Sequence, residues 1–164
     1  MRIGWNGAVL EAGEAVIPAM DHGLLYGIGL FETFRTYGGK PFALDRRLAR
    51  LRNGCETLGI RWTMTEADVS DWLAKALEAN GLADAYIRLT VTAGDAGLGL
   101  NDGPYERPNT LLMVKPLPPL GGRLYHEGRE LRILRTPRGM PETPVRLKSL
   151  HYMTNVLAKR ELAA

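Results

Sequence analysis

Two helical stripes set between strand-like runs constrain this chain more than any other feature. Leu44, Leu48, Leu51, Cys55 and Leu58 recur at steps of 4, 3, 4 and 3, which puts all five on one face of a helix. Gly59 is its stop. Thr65 opens a second helix, with Asp68 three residues on as a capping box. Val69, Trp72, Leu73, Ala76 and Leu77 form its buried stripe, and Asn80-Gly81 ends it.

Strand signals flank the pair. Arg2 to Leu10 reads as two strands around Asn6-Gly7, a favoured tight-turn dipeptide. Gly23, Gly27 and Gly29 punctuate a loop before the aromatic and β-branched run Leu30–Tyr37, which Gly38-Gly39 turns back toward Pro41-Phe42-Ala43 as a second hairpin. After the helices, Ile87, Leu89 and Val91 face one way from a strand, and Arg88, Thr90 and Thr92 face the other. Asn109 to Lys115 is a continuous apolar strand. Leu117 to Gly122 has linker composition. It divides a small N-terminal α/β domain, residues 1–118, from residues 119–164, a linker and the start of a larger unit. In that second part Glu130–Thr136 reads as a strand, and Pro137, Pro141 and Pro144 break the next stretch. A helix is expected from Leu147 to the end. The fold class is therefore mixed α+β with antiparallel pairing, not a doubly wound nucleotide fold.

Composition narrows the function. With 45% hydrophobic and 24% charged residues in 164, disordered and fibrous classes are excluded, and the length suits one domain, or one small domain plus part of another. No apolar run approaches the roughly 20 residues that span a bilayer, and the first residues carry no signal-peptide pattern. The single cysteine, Cys55, cannot form an internal disulfide, which favours the cytoplasm. The net charge of +3 comes from scattered rather than clustered arginines. That pattern suits a small anionic partner, and neither a nucleic acid nor a membrane is expected.

Nucleophiles are few. No Gly-x-Ser-x-Gly turn occurs, and His22, His126 and His151 lack metal-ligand spacing, so no metal is expected. Cys55 occupies a core position. Of five lysines, Lys148 follows a proline-broken loop in Val145-Arg146-Leu147-Lys148-Ser149-Leu150. A lysine in a semi-apolar setting near other cations loses its proton more easily and becomes an amine for a Schiff base. On spacing alone, a solvated helix-start lysine is the commoner case. Arg50 lies one position from Leu51, at the border of the buried stripe, where a guanidinium can clamp a phosphate. The alternative is a solvated helix face shared with Arg46, Arg47 and Arg52. Arg88, flanked by Thr90 and Thr92, suits a carboxylate or a sheet-surface ion pair. Gly94-Asp95-Ala96-Gly97-Leu98-Gly99 is not a nucleotide fingerprint and reads as a flexible loop that covers a site.

Four segments taken together carry a family resemblance. The stretch from Asp21 to Arg35, Asp-His-Gly-Leu-Leu-Tyr-Gly-Ile-Gly-Leu-Phe-Glu-Thr-Phe-Arg, resembles a hallmark of fold-type IV pyridoxal-phosphate enzymes, which include branched-chain and D-amino-acid aminotransferases and 4-amino-4-deoxychorismate lyases. Arg47 to Leu51 is similar to their phosphate-arginine helix. Tyr86-Ile87-Arg88 with Gly94 to Gly97 is similar to their substrate strand and loop, and Arg146 to Glu161 to their cofactor-lysine segment. The matches run in order along nearly the whole chain. The wording of the first and last is most similar to the lyases.

The resemblance implies the small N-terminal domain of the D-amino-acid aminotransferase-like fold plus the beginning of its larger domain, with pyridoxal 5'-phosphate as cofactor. It implies that Lys148 bonds the cofactor and is catalytic, and that Arg50 holds its phosphate. It also implies that Arg88, Phe31 and Thr33 face the substrate. The activity implied is an aminodeoxychorismate lyase of folate synthesis, or an aminotransferase of the same family, in a cytoplasmic homodimer. Family members continue past the lysine with a carboxylate for the pyridine nitrogen and with phosphate-binding loops. The resemblance thus implies a C-terminal remainder as a partner, poor cofactor binding by this chain alone, and, as a third reading, a non-catalytic interaction module.

Overall fold

In the computed structural model, described for residues 1–118, 122–141 and 143–163 apart from the side chains of Arg123 and Leu124, the chain forms two units. One comprises Met1–Leu117 with Lys148–Leu150, the other Pro118–Leu147 with His151–Ala164. The first contains six strands: β1 (Arg2–Trp5), β2 (Ala8–Glu11), β3 (Gly29–Tyr37), β4 (Lys40–Pro41), β5 (Ala85–Thr92) and β6 (Asn109–Pro116). They form one sheet in the order β2-β1-β6-β5-β3-β4, with every pairing antiparallel. The helices are α1 (His22–Leu25), α2 (Leu44–Thr57) and α3 (Glu66–Ala79). This is the α+β, antiparallel class that the order of hydrophobic patterns implies.

Local chemistry explains the elements. Asn6 and Gly7 both take positive φ, 46° and 88°, the requirement of the tight turn that matches strand twist. In α3 the Thr65 hydroxyl accepts from the Asp68 N–H, and the Asp68 carboxylate accepts from the Thr65 N–H, so both halves of the capping box form. The α2 stripe buries Leu44, Leu48, Leu51 and Cys55, and the α3 stripe buries all five expected residues. α2 packs on β3, and α3 on β1, β2 and β6. Against them the sheet turns Leu30, Phe34, Ile87, Leu89, Val91, Leu112 and Val114, all buried.

The opposite face of the same strands carries Phe31, Thr33 and Arg35 beside Thr90, Arg88 and Tyr86, which are their cross-strand partners. Polar residues are therefore gathered on one side of β3 and β5 by strand alternation.

The second unit contains α4 (Arg123–Glu127) and α5 (Met153–Ala163), and two expectations are corrected there. Glu130–Thr136 is not a strand. Leu131 and Ile133 are 87% and 95% exposed, and the N–H groups of Arg135 and Thr136 donate to the Glu161 carboxylate at 2.6 and 2.8 Å instead of to a ladder. An apolar run becomes a strand only where a partner strand takes its N–H groups. The last helix begins at Met153, not Leu147, because Lys148–Leu150 is drawn into extended pairing with β3, where Ser149 bridges Leu30. Of the linker expected over Leu117–Gly122, residues 119–121 lie outside the described residues.

Candidate active site

The site is built where Lys148–Leu150 joins β3. The Phe31 N–H donates to the Lys148 carbonyl and the Leu150 N–H to the Gly29 carbonyl, each at 3.0 Å. Since Ser149 faces Leu30 across this bridge, alternation sends Lys148 and Leu150 to the other face, the side of Phe31. Gly29 is required for that approach: a Cβ there would stand 2.6 Å from the Val91 carbonyl oxygen and 2.7 Å from Leu150 Cδ1.

The Phe31 ring, 2% exposed, is the platform. Lys148 Nζ lies 4.6 Å and Arg88 Cζ 3.6 Å from its centroid. Both cations gain from the negative face of the ring. The Arg88 Nε–H donates to the Thr90 hydroxyl at 3.3 Å, which steadies the guanidinium, and Thr33 stands directly opposite Arg88 in the register.

From the helix side, Arg50 of α2 reaches the Glu32 carboxylate of β3 with two parallel bonds, Nε to Oε1 at 2.5 Å and Nη2 to Oε2 at 2.7 Å. Arg47 Nη1 is 3.9 Å from Oε2 of the same carboxylate. Burial draws the Lys148 ammonium below its ordinary range. Glu32 opposes this, and Arg50, Arg88 and Arg47 add to it. The positive charges of Arg50, Arg88 and Arg47 thus outnumber the one carboxylate that acts on the amine and help to make it easier to deprotonate.

A buried polar network holds the neighbouring loop. Asp21 Oδ1 accepts from the Gly23 N–H, and its Oδ2 accepts from the Thr92 hydroxyl and the Asn109 amide at 2.6 and 2.7 Å. The His22 Nε2 lies 3.1 Å from the Gly97 carbonyl and its Nδ1 3.0 Å from the Tyr105 hydroxyl. A carbonyl only accepts, so Nε2 carries the proton and Nδ1 accepts from Tyr105. The Gly99 N–H donates to the Tyr26 hydroxyl at 2.9 Å. The glycine loop expected to be flexible is therefore tied to α1 and to the Tyr26 that follows it.

Lys148, Phe31, Thr33 and Arg88, marked by resemblance, come to one face of β3 and β5, and Arg50 approaches β3 from α2. Glu32 went unremarked in sequence. A carboxylate in phase with Leu30 and Phe34, on the core side of a strand, was the available signal, since a buried charge requires a partner. Asp21 and His22, both 0% exposed, carried no comparable periodic sign because α1 has only four residues.

The chain is thus an antiparallel α+β domain that sets a partly buried lysine and an arginine over one buried ring. Residues 29–164 match the family model described as amino-transferase class IV, and the chain belongs to that family. It is 41% identical over 159 residues to an aminodeoxychorismate lyase of Bacillus subtilis, covering 96% of this chain and 53% of that protein. It is 36% identical over 159 residues to a putative branched-chain-amino-acid aminotransferase of Methanocaldococcus jannaschii, covering 97% and 54%. Among solved structures, 4-amino-4-deoxychorismate lyase of Pseudomonas aeruginosa superposes with a TM-score of 0.80 at 31% identity, covering 97% and 56%. The chain spans about half the length of these relatives.

Proposed function

We propose that this chain forms part of a pyridoxal-phosphate-dependent aminodeoxychorismate lyase, which converts 4-amino-4-deoxychorismate to 4-aminobenzoate and pyruvate in folate synthesis. The observation that carries the chemistry is the Lys148 amine and the Arg88 guanidinium set over one buried ring, Phe31. The 41% identity to a lyase favours that branch of the family.

The residues fit the cofactor. Lys148 offers an amine whose proton is loosened by burial and by three arginines. Arg50 keeps the Nη1 side of its guanidinium free of Glu32, and such a fork suits a phosphate. When bound, pyridoxal 5'-phosphate supplies an aldehyde that condenses with amines and a ring that draws electrons from the adjoining carbon. Lys148 Nζ would accept the proton from the amine-bearing carbon of the substrate. Arg88, steadied by Thr90, binds a substrate carboxylate. Phe31 and Thr33 line the same face and orient the ring to be aromatised.

A C-terminal remainder, in the same or a second chain, supplies the other side of the pocket, and this chain alone binds the cofactor poorly. The working form is a cytoplasmic homodimer. In support, Met20 and Leu24 at α1, and Leu98 and Leu100 on the loop tied to it, are exposed apolar residues that suit a second copy. A monomeric mass for the complete protein overturns the dimer.

The test is pyruvate release from aminodeoxychorismate by the complete protein, with an absorbance band of lysine-bound cofactor that disappears in Lys148→Ala. No pyruvate rules out the lyase. The second reading, an aminotransferase acting on branched-chain or D-amino acids, is favoured by the 36% identity to an aminotransferase. Rapid keto-acid-dependent amine exchange selects it. A non-catalytic module is the outcome if no band forms.

A further inference from the structure

Glu32 stands on the helix-facing side of β3 between Leu30 and Phe34, and its side chain is 1% exposed. A carboxylate so placed loses its hydration and requires charged partners to remain ionised. Arg50 supplies two parallel hydrogen bonds and Arg47 a further positive charge.

The geometry of the pair has a consequence for Arg50. A guanidinium carries five N–H donors in a rigid plane. Glu32 occupies the edge made by Nε and Nη2. The edge made by Nη1 and Nη2 keeps its donors, and it is the edge left for a second, bidentate anion. The Arg50 side chain is 53% exposed while Glu32 is buried, so one side of the plane is anchored in the core and the other is open. An arginine on a helix surface without such an anchor samples many rotamers and must be ordered by its ligand, at a cost in affinity.

We propose that Glu32 is a positioning residue of the anion site: by gripping the Nε and Nη2 edge of Arg50 it holds the guanidinium in one orientation, with the Nη1 and Nη2 edge reserved for the phosphate of the cofactor. This rests on the cofactor reading proposed above. The same carboxylate opposes the loosening of the Lys148 proton.

Binding of pyridoxal phosphate and of pyridoxal, which lacks the phosphate, separates this role from a structural one. In the complete protein, Glu32→Gln turns an amide N–H against the Arg50 donors. The preference for pyridoxal phosphate over pyridoxal should fall about tenfold or more, a loss of about one charge-assisted bond, while the affinity for pyridoxal stays near that of the parent. Stabilisation of the apoprotein by inorganic phosphate, read as a shift in melting temperature, should shrink in parallel. Glu32→Asp, which keeps the charge on a shorter arm, should lose a smaller part of the preference, and it decides the matter if Glu32→Gln does not fold. Arg50→Lys should abolish the preference, and adding Glu32→Gln to it should change the preference no further. Equal losses for both ligands, or an unchanged preference in the folded variants, overturn the positioning role. If the parent binds neither ligand, the cofactor reading itself fails, and the role assigned to Glu32 falls with it.

Discussion

The Phe31 N–H donates to the Lys148 carbonyl at 3.0 Å, so the same residue that lends its ring to the lysine side chain also fixes the lysine backbone. The amine is held by a strand contact and not by a helix. Its environment has a measurable consequence. Burial, helped by Arg50, Arg88 and Arg47, depresses the Lys148 pKa. A depressed folded-state value means that the stability tied to this group is present above the ordinary lysine range and lost as pH falls through the depressed value. Lys148→Met removes the ammonium that is disfavoured at neutral pH. Its melting temperature should exceed that of the parent at pH 7, and the two should converge as pH rises toward about 10.4. Calorimetry showing no gain at pH 7 contradicts this.

The Asp21 carboxylate accepts three hydrogen bonds, from the Gly23 N–H, the Thr92 hydroxyl and the Asn109 amide. Asp21→Asn sets an amide N–H against a donor in a fully buried position. A loss of about 1–3 kcal/mol is expected. It should appear as a lower urea midpoint with an unchanged slope.

Gly4 is a contact glycine. A Cβ there would lie 2.5 Å from Cε2 and Cζ2 of Trp72, whose indole N–H donates to the Ala8 carbonyl at 2.8 Å. Gly4→Ala should cost about 1–3 kcal/mol through overpacking and alter the tryptophan emission. Gly13→Ala, with nothing within 4 Å of the new Cβ, should leave both nearly unchanged. Equal behaviour of the two variants would falsify the packing argument.

Burial pushes the Cys55 thiol up to about 12 from 9.0. The raised folded-state value places the stability of the neutral thiol fully below pH 9 and removes it as pH rises toward 12. Folded protein at pH 8 should therefore react slowly with a disulfide reagent and rapidly once unfolded. Cys55→Ala should flatten the decline in stability on the alkaline side. Fast labelling of the native state would show the thiol to be accessible.

How legible the molecule was depended on the range of the interactions. The stripes of α2 and α3, the Thr65 and Asp68 capping box, the Asn6-Gly7 turn and the two faces of β5 were all readable, because each is decided within a few residues by period, capping or φ. The roles of Lys148 and Arg50 came from the ordered family motifs, since on spacing alone a solvated side chain is the commoner case for each. Sequence could not show that Lys148–Leu150 would leave the helix to pair with β3. Nor could it show that Glu130–Thr136 would find no ladder, since strand formation waits on a distant partner. It also left Glu32 unpaired, although its core phase on β3 was visible.

By itself, then, the sequence determined the identity of the elements, which face of each was apolar, and the family to which its ordered motifs belong. Only the tertiary structure decided that the lysine amine, the Arg88 guanidinium and the Phe31 ring converge, and that a buried carboxylate grips Arg50. These contacts join residues far apart in the chain, and their energies depend on burial and mutual geometry, which no local pattern encodes.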